Sequence, residues 1–352
     1  MMRLGQLIEW IQGNQAEGMI ITGKSNIYYH SGFRGSNGLL VIGKDGQKRL
    51  VTDFRYFTQG ALQAPDWEIL KQTGDLFITI ADFLNSRPGK WLFEEDFLTV
   101  KEYGKLPKNS EVTYESCNID FFRQIKSEKE IERIKVAADI ADQALAKVLE
   151  WIEPGRREIE VKAFFDYQMV SLGAECTSFS TIVGSGPNGA LPHAVPGERK
   201  LQKGDLVVLD FGAVYEGYCS DETRTISIGA ASSEQKERYQ LVLDAQLAAL
   251  KVIRPGVTSL EVDRIARDII GDAGYGEYFG HGLGHSLGID VHESPRFSPT
   301  FDSTRMVENM VMTVEPGIYI PEWGGIRIED LVVVKSEGCE ILSKTSKALL
   351  EI

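Results

Sequence analysis

The sequence predicts two domains: an α/β N-terminal domain over residues 1–123, then an α+β domain over 124–352 with internal pseudo-two-fold symmetry. Three observations carry this reading. Short β-like runs alternate with helical ones as far as residue 123. The texture then changes at Ser127, which forms a capping box with Glu130 and opens a long helical pattern. Beyond that point the chain repeats itself at an offset of 101 residues. A length of 352 residues also exceeds what one ordinary core organises.

In the first domain MMRLGQLIEWIQ predicts an amphipathic first helix. It contains Glu9 and lacks the apolar core and cleavage site of a signal peptide. MIITG, LLVIG, KRLVTD and WLFEED read as strands, and DLFITIADFL as a helix. His30 reads as a half-buried strand residue without a catalytic role. Phe54, Tyr56 and Phe57 could line a substrate entrance, but core packing is the favoured reading.

The second domain opens with apolar residues at Ile131, Ile134, Ala138, Ala141 and Leu145, a helical spacing that should run to about Ile152 and stop at Pro154-Gly155. The segment from Ile152 aligns with that from Ile253, so Pro154-Gly155 falls on Pro255-Gly256 and Glu160-Val161 on Glu261-Val262. A long amphipathic helix precedes each copy. Each copy continues into a histidine, His193 or His292, and then a β run ending in an acid, LVVLD or MVMTVE. Two copies are too few for a solenoid and predict a pseudo-symmetric domain with a site at the join.

Composition narrows the function. Apolar residues make up 43% and charged residues 25%, which suits a soluble globular protein. The net charge of −13 argues against nucleic acid or an anionic membrane as partner. No run is apolar and long enough to span a bilayer. Cys117, Cys176, Cys219 and Cys339 are widely spaced and read as reduced thiols of a cytoplasmic protein.

The chemistry lies in four acids and an imidazole. Asp210 ends the strand LVVLD and Asp221 begins its return, DETRT. A turn at Tyr215-Glu216 sets the two acids directly opposite, and one at Glu216-Gly217 makes them diagonal neighbours. Both registers leave them on one face. Glu315 and Glu329 end and resume a second hairpin around the PEWGG loop. Like charges so placed destabilise a sheet unless a cation lies between them. His285 lies in FGHGLGHSLG, where the glycines favour a bent segment over a helix. His281, His285 and His292 fall within twelve residues, which weakens a purely structural reading of any one. Arg327 shares a strand face with Glu329 and can fork onto a carboxylate. Four carboxylates balance two divalent cations. Oxygen-rich ligation with one imidazole suits Mn²⁺, Co²⁺ or Zn²⁺, and calcium would not need the histidine. Two such ions can activate a bridging water and polarise a carbonyl, which points to hydrolysis.

LDFGAVYEGYCSDETRT, HGLGHSLGIDVHE, TVEPGIY and GGIRIED resemble the pita-bread metallopeptidases, in the branch of Xaa-Pro dipeptidase (prolidase) and Xaa-Pro aminopeptidase (aminopeptidase P). The motif-level match runs from about residue 120 to the end, with a looser one around NIYYHSGFRGSNGLLVI and VTDFRYFTQ. The resemblance implies a pita-bread catalytic domain holding two divalent ions, Mn²⁺ first among them. It implies Asp210 as a chelator of one ion, His285 and Glu315 on the other, and Asp221 and Glu329 reaching both. His193 and His292 would contact substrate and stabilise the tetrahedral intermediate, and His281 would line the pocket. Arg327 would orient the carboxylates, and Glu315 would help manage the water's proton. The substrate would be a small peptide with proline second, and the protein a homodimer. Asn309-Met310 departs from the usual Gly-Met, and His30 from a usual aliphatic residue, without touching a ligand position.

The leading reading is a dipeptidase, favoured by the short chain and compact linker. The alternative is an aminopeptidase acting on longer peptides. A methionine aminopeptidase is disfavoured by the extra N-terminal domain and by Asp330, where that relative has a histidine. A metal-free creatinase lacks the ligand set present here. A peptide-binding pseudoenzyme would be expected to have lost ligands, and none is lost.

Overall fold

A computed structural model of the chain describes residues 2–108, 110–301 and 303–352, without the side chains of Met2 and Arg3. The chain divides into two compact units, Met1–Arg123 and Gln124–Ile352.

The first unit is a six-stranded mixed sheet in the order β4-β3-β2-β1-β5-β6. Its strands are β1 (Gly18–Ile21), β2 (Gly38–Gly43), β3 (Lys48–Thr52), β4 (Glu68–Lys71), β5 (Gly89–Glu94) and β6 (Val112–Cys117). The helices are α1 (Met2–Gly13), α2 (Lys24–Ser31), α3 (Phe57–Gln63), α4 (Leu76–Asn85) and the short α5 (Val100–Tyr103). Both sheet faces are covered, so the central strands read as continuous apolar runs. In β2, Leu40 and Ile42 join one core with Leu7, Ile11 and Leu50. Leu39 and Val41 join the other with Phe77, Ile80 and Trp91. Asp75 starts α4 by accepting the Phe77 N–H at 2.9 Å. Two sequence expectations fail here. His30 lies on helix α2, not a strand, because Gly32 closes a helical turn in the left-handed region at φ 82°. Phe54 is 77% exposed and is no part of the core.

The second unit carries the repeat. Helices α6 (Glu128–Trp151) and α7 (Glu158–Ser171) form one pair, and α8 (Ser233–Val252) and α9 (Ser259–Asp272) the other. The Glu130 carboxylate accepts both the N–H and the hydroxyl of Ser127, each at 2.8 Å. The same bonds recur after each Pro-Gly turn: Gly155 N–H donates to Leu201 O at 2.8 Å, and Gly256 N–H to Met306 O at 2.9 Å. Isolated bridges Arg157↔Lys200 and Thr258↔Arg305 also correspond.

Between and after the helices come β7 (Cys176–Thr177), β8 (Ile182–Ser185), β9 (Leu206–Phe211), β10 (Ala213–Tyr215), β11 (Tyr218–Cys219) and β12 (Glu222–Ser227). The second half adds β13 (Gly284–Ser286), β14 (Glu293–Phe297), β15 (Val311–Val314), β16 (Gly317–Ile320), β17 (Gly324–Arg327), β18 (Asp330–Lys335) and β19 (Gly338–Ile341). The main sheets run β12-β9-β8 and β14-β13-β15-β18-β19. Leu145, Val161 and Phe165 of the first helix pair bury against Val207, Leu209 and Phe211. Val242, Ala249 and Val262 of the second bury against Met312, Val314 and Val332. Each large side chain so buried contributes roughly 1.5–3 kcal/mol. These helix faces therefore hold rigid the strands that carry the acids.

Candidate metal centre

Turn chemistry fixes the first hairpin. Glu216 and Gly217 both adopt positive φ, 43° and 76°, as a two-residue hairpin turn demands. The rungs Tyr215↔Tyr218 and Asp210↔Thr223 follow. Asp221 then falls opposite Gly212, diagonal to Asp210 on the same face, which is the second of the two registers open to the sequence. Gly212 is required there: a Cβ would sit 2.0 Å from the Ser220 carbonyl oxygen. In the second hairpin the rungs Val314↔Asp330 and Gly317↔Arg327 set Glu315 directly opposite Glu329.

His285 lies on β13, between β14 and β15. The ladder with β14 shifts between His285 and Ser286, so the bend is a local irregularity inside a strand. A Cβ on Gly284 would meet the Thr313 carbonyl oxygen at 2.1 Å, so only glycine lets these strands close beside the histidine. The Thr313 hydroxyl accepts His285 N–H at 3.0 Å and donates to Glu315 Oε1 at 3.2 Å.

Donor atoms of Asp221, His285 and Glu329 lie within 4.8 Å of one another. His285 Nε2 is 3.4 Å from Glu315 Oε1 and 3.7 Å from Asp221 Oδ2. Asp210 lines the same cavity of about 990 Å³, as do His193, His281 and His292. Asp210 is drawn to Arg327, whose Nη2 donates to Oδ2.

The electrostatics call for a cation. Burial, then neighbouring acids, raises the carboxyls of Asp221 and Glu329 well above the usual range. Burial pushes Glu315 up to about 7. Burial, then His292, pulls His285 down to about 3, so its ring is neutral. Its Nδ1 lies 3.1 Å from Ser286 O, a contact that places the proton on Nδ1 and leaves Nε2 with a free lone pair. Asp210 Oδ1 and Glu329 Oε1 are buried and accept no hydrogen bond among the described residues. Buried carboxyl oxygens and an unprotonated imidazole nitrogen facing one another form a donor set suited to divalent metal.

A hydrogen-bonded web ties the hairpins together. The Thr223 hydroxyl donates to Glu329 Oε2 at 2.6 Å and accepts Arg327 Nε at 3.0 Å. Arg327 Nη1 donates to the Tyr319 hydroxyl at 2.7 Å, which lies 2.9 Å from His281 Nε2. His281 Nδ1 is 2.7 Å from Gly282 O. Burial, then Arg327, lowers His281 to about 4. Its neutral ring therefore donates from Nδ1 and accepts at Nε2, which occupies both nitrogens. His193 and His292 are exposed. The His292 ring packs edge-on to His285 at 4.5 Å between centroids.

Sequence reasoning missed Thr223, Tyr319 and Arg296. The first two sit in ordinary strand runs, and both partners of Thr223 and one of the two partners of Tyr319 lie far along the chain. Arg296 lines the cavity with its guanidinium 4.9 Å from the Phe301 ring. Among the described residues no carboxylate forms an ion pair with it. A lone arginine in SPRF gives no local signal of that isolation.

Comparison with known proteins agrees with this geometry. Residues 132–336 match the model of metallopeptidase family M24, and residues 3–121 that of the creatinase/prolidase N-terminal domain. The Xaa-Pro dipeptidase of Pyrococcus horikoshii is 39% identical over 99% of this chain and 98% of its own. An Xaa-Pro dipeptidase structure from Bacillus anthracis superposes with a TM-score of 0.95 at 40% identity, covering 99% of each chain. An X-Pro aminopeptidase structure from Thermotoga maritima gives 0.91 at 36% identity, again covering 99% of each.

Proposed function

Because the chain belongs to metallopeptidase family M24, we propose that it hydrolyses Xaa-Pro peptides at a centre of two divalent metal ions. Asp210, Asp221, His285, Glu315 and Glu329 would hold them. The observation that carries this reading is the convergence of Asp221, His285 and Glu329 donor atoms within 4.8 Å, in a cavity that Asp210 and Glu315 also line. When bound, the ions supply Lewis acidity and lower the pKa of solvent. The donor chemistry suits Mn²⁺ first, with Co²⁺ and Zn²⁺ as the other candidates.

The chain's own groups do the rest. Arg327 holds Asp210 and the Tyr319 hydroxyl and so fixes the first carboxylate. Glu315 would take up the proton that the attacking water loses and return it to the leaving nitrogen as the C–N bond breaks. His193 and His292 donate ring N–H groups to the carbonyl oxygen under attack. His281 lends a neutral ring face to the pocket wall. A proline nitrogen carries no N–H, so a shaped pocket serves it better than strand-like binding does.

Arg296 favours the dipeptidase form of this activity. A cavity-lining guanidinium that forms no ion pair among the described residues can fork onto the free carboxylate of a two-residue substrate. The second reading, an aminopeptidase, draws support from the equally complete overlap with the Thermotoga protein. Assaying Xaa-Pro against Xaa-Pro-Xaa separates them: dipeptide preference is expected, and equal cleavage of longer peptides would favour the aminopeptidase. No described helix is long and apolar enough to cross a membrane. The four cysteines are free, which supports a cytoplasmic setting. A homodimer completes the reading, and sedimentation tests it.

A further inference from the structure

One buried acid outside the metal cluster is built into the same site. Glu158, at the start of α7, is fully buried. It accepts five hydrogen bonds, all from one segment. Ser185 donates its N–H at 2.9 Å and its hydroxyl at 2.7 Å to Oε1. Asn188 Nδ2 lies 3.1 Å from Oε1 and 3.0 Å from Oε2, and Gly197 N–H donates to Oε2 at 3.3 Å. Among these, Ser185 and Asn188 precede His193 and Gly197 follows it. The carboxylate therefore pins both ends of the loop that presents His193 to the cavity. Within that loop Pro192 O accepts Arg327 Nη1 at 3.2 Å. The histidine is thus held between Glu158 on one side and the carboxylate-orienting arginine on the other.

The internal repeat supplies a control. Glu158 corresponds to Ser259 at the start of α9. Glu158 N–H donates to Arg199 O at 3.0 Å, and Ser259 N–H donates to Thr304 O at 2.8 Å, so the backbone is alike in the two halves. Among the described residues the Ser259 hydroxyl accepts only Thr304 N–H, at 3.0 Å. Thr258 caps that helix, its hydroxyl accepting Glu261 N–H at 3.2 Å, so no carboxylate at the Ser259 position is needed to start it. The long carboxylate occurs in the half that carries the His193 loop.

We propose that Glu158 is a positioning residue for His193, acting by anchoring residues 185–197 from below. The functional part rests on the peptidase reading above; the anchoring part does not. Two variants test it. Glu158→Gln keeps the shape but turns one acceptor into a donor facing other donors. Glu158→Ser copies the second half of the domain and retains its helix start.

In either variant kcat/KM for an Xaa-Pro dipeptide should fall on the order of 10- to 100-fold, the effect of misplacing a group in contact with substrate. In a His193→Ala background the same substitution should change kcat/KM by no more than about twofold, because the residue acts through that histidine. Backbone amide exchange at Ser185 and Gly197 should accelerate, with metal content unchanged. Equal losses in both backgrounds, or unaltered exchange at those amides, would overturn the proposal. If His193→Ala is too slow to measure, the exchange result decides. A wild-type protein inert toward Xaa-Pro peptides would refute the peptidase reading and leave the exchange test intact.

Discussion

Asp221 and His285, one on a β-hairpin and the other on a kinked strand, bring Oδ2 and Nε2 to 3.7 Å. Both are buried, and each is pushed toward its uncharged form. No ordinary ion pair explains that placement, since neither partner is then charged, and 3.7 Å is too long for a hydrogen bond. A cation between them removes the conflict. Asp221→Asn should therefore abolish hydrolysis and lower metal content, because the amide loses the anionic charge a shared ligand needs. Elemental analysis beside the peptidase assay reads both. An active, fully loaded variant would contradict the ligand assignment.

The same acids set a pH dependence. Burial raises the carboxyls of Asp221, Glu315 and Glu329 above their unfolded values of 3.8, 4.5 and 4.5. An acid so raised stabilises the fold fully below its unfolded pKa. That contribution is lost as pH climbs through the folded pKa, about 7 for Glu315. Bound metal keeps the carboxylates ionised and cancels the loss. The gap in Tm between metal-loaded and chelator-stripped protein should widen from about pH 5 to about pH 8. A gap that stays constant or narrows would contradict the burial argument.

Arg327 serves Asp210, Tyr319, Thr223 and Pro192 at once. Lysine is a point donor and cannot reproduce that fork. Arg327→Lys should lower kcat/KM about 10- to 100-fold, the size of one lost charge-assisted hydrogen bond. Steady-state kinetics checks it, with Tm measured alongside to detect unfolding. Wild-type kinetics would remove Arg327 from the site.

Much of this arrangement is readable from sequence, and the reason is local. Two residues of positive φ at Glu216-Gly217 decide between the two hairpin registers, and both registers are visible in the sequence. The helix–Pro-Gly–helix unit is contiguous, so its recurrence can be found by alignment alone. The helix around His30 is less legible, because NIYYHSG is rich in strand-favouring residues and its glycine C-cap is the only contrary signal. Tyr319 is illegible for another reason. Its hydroxyl joins Arg327, eight positions later, to His281, 38 positions earlier, and nothing in GIYI announces either partner. Glu158 looks like any acid in a helix's first turn until the loop it holds is folded over it.

On the proposed dipeptidase reading, Arg296 would carry the distinction between two- and three-residue substrates. Arg296→Met keeps the stem's apolar contact with Phe301 and removes the charge. It should raise KM for Xaa-Pro by about 10- to 100-fold, as loss of a hydrogen bond to a charged group would. The effect on Xaa-Pro-Xaa should be much smaller, because its carboxylate lies a residue farther on. Equal effects on both substrates would show that the arginine does not hold the dipeptide terminus.

The most direct test is to count metal. The protein is stripped with chelator, refilled with Mn²⁺, cleared of loose ions and analysed for metal per chain. About two ions per chain are expected, released together with activity when the chelator returns. A refilled chain that holds none, and cleaves nothing, would contradict the shared-cation centre outright.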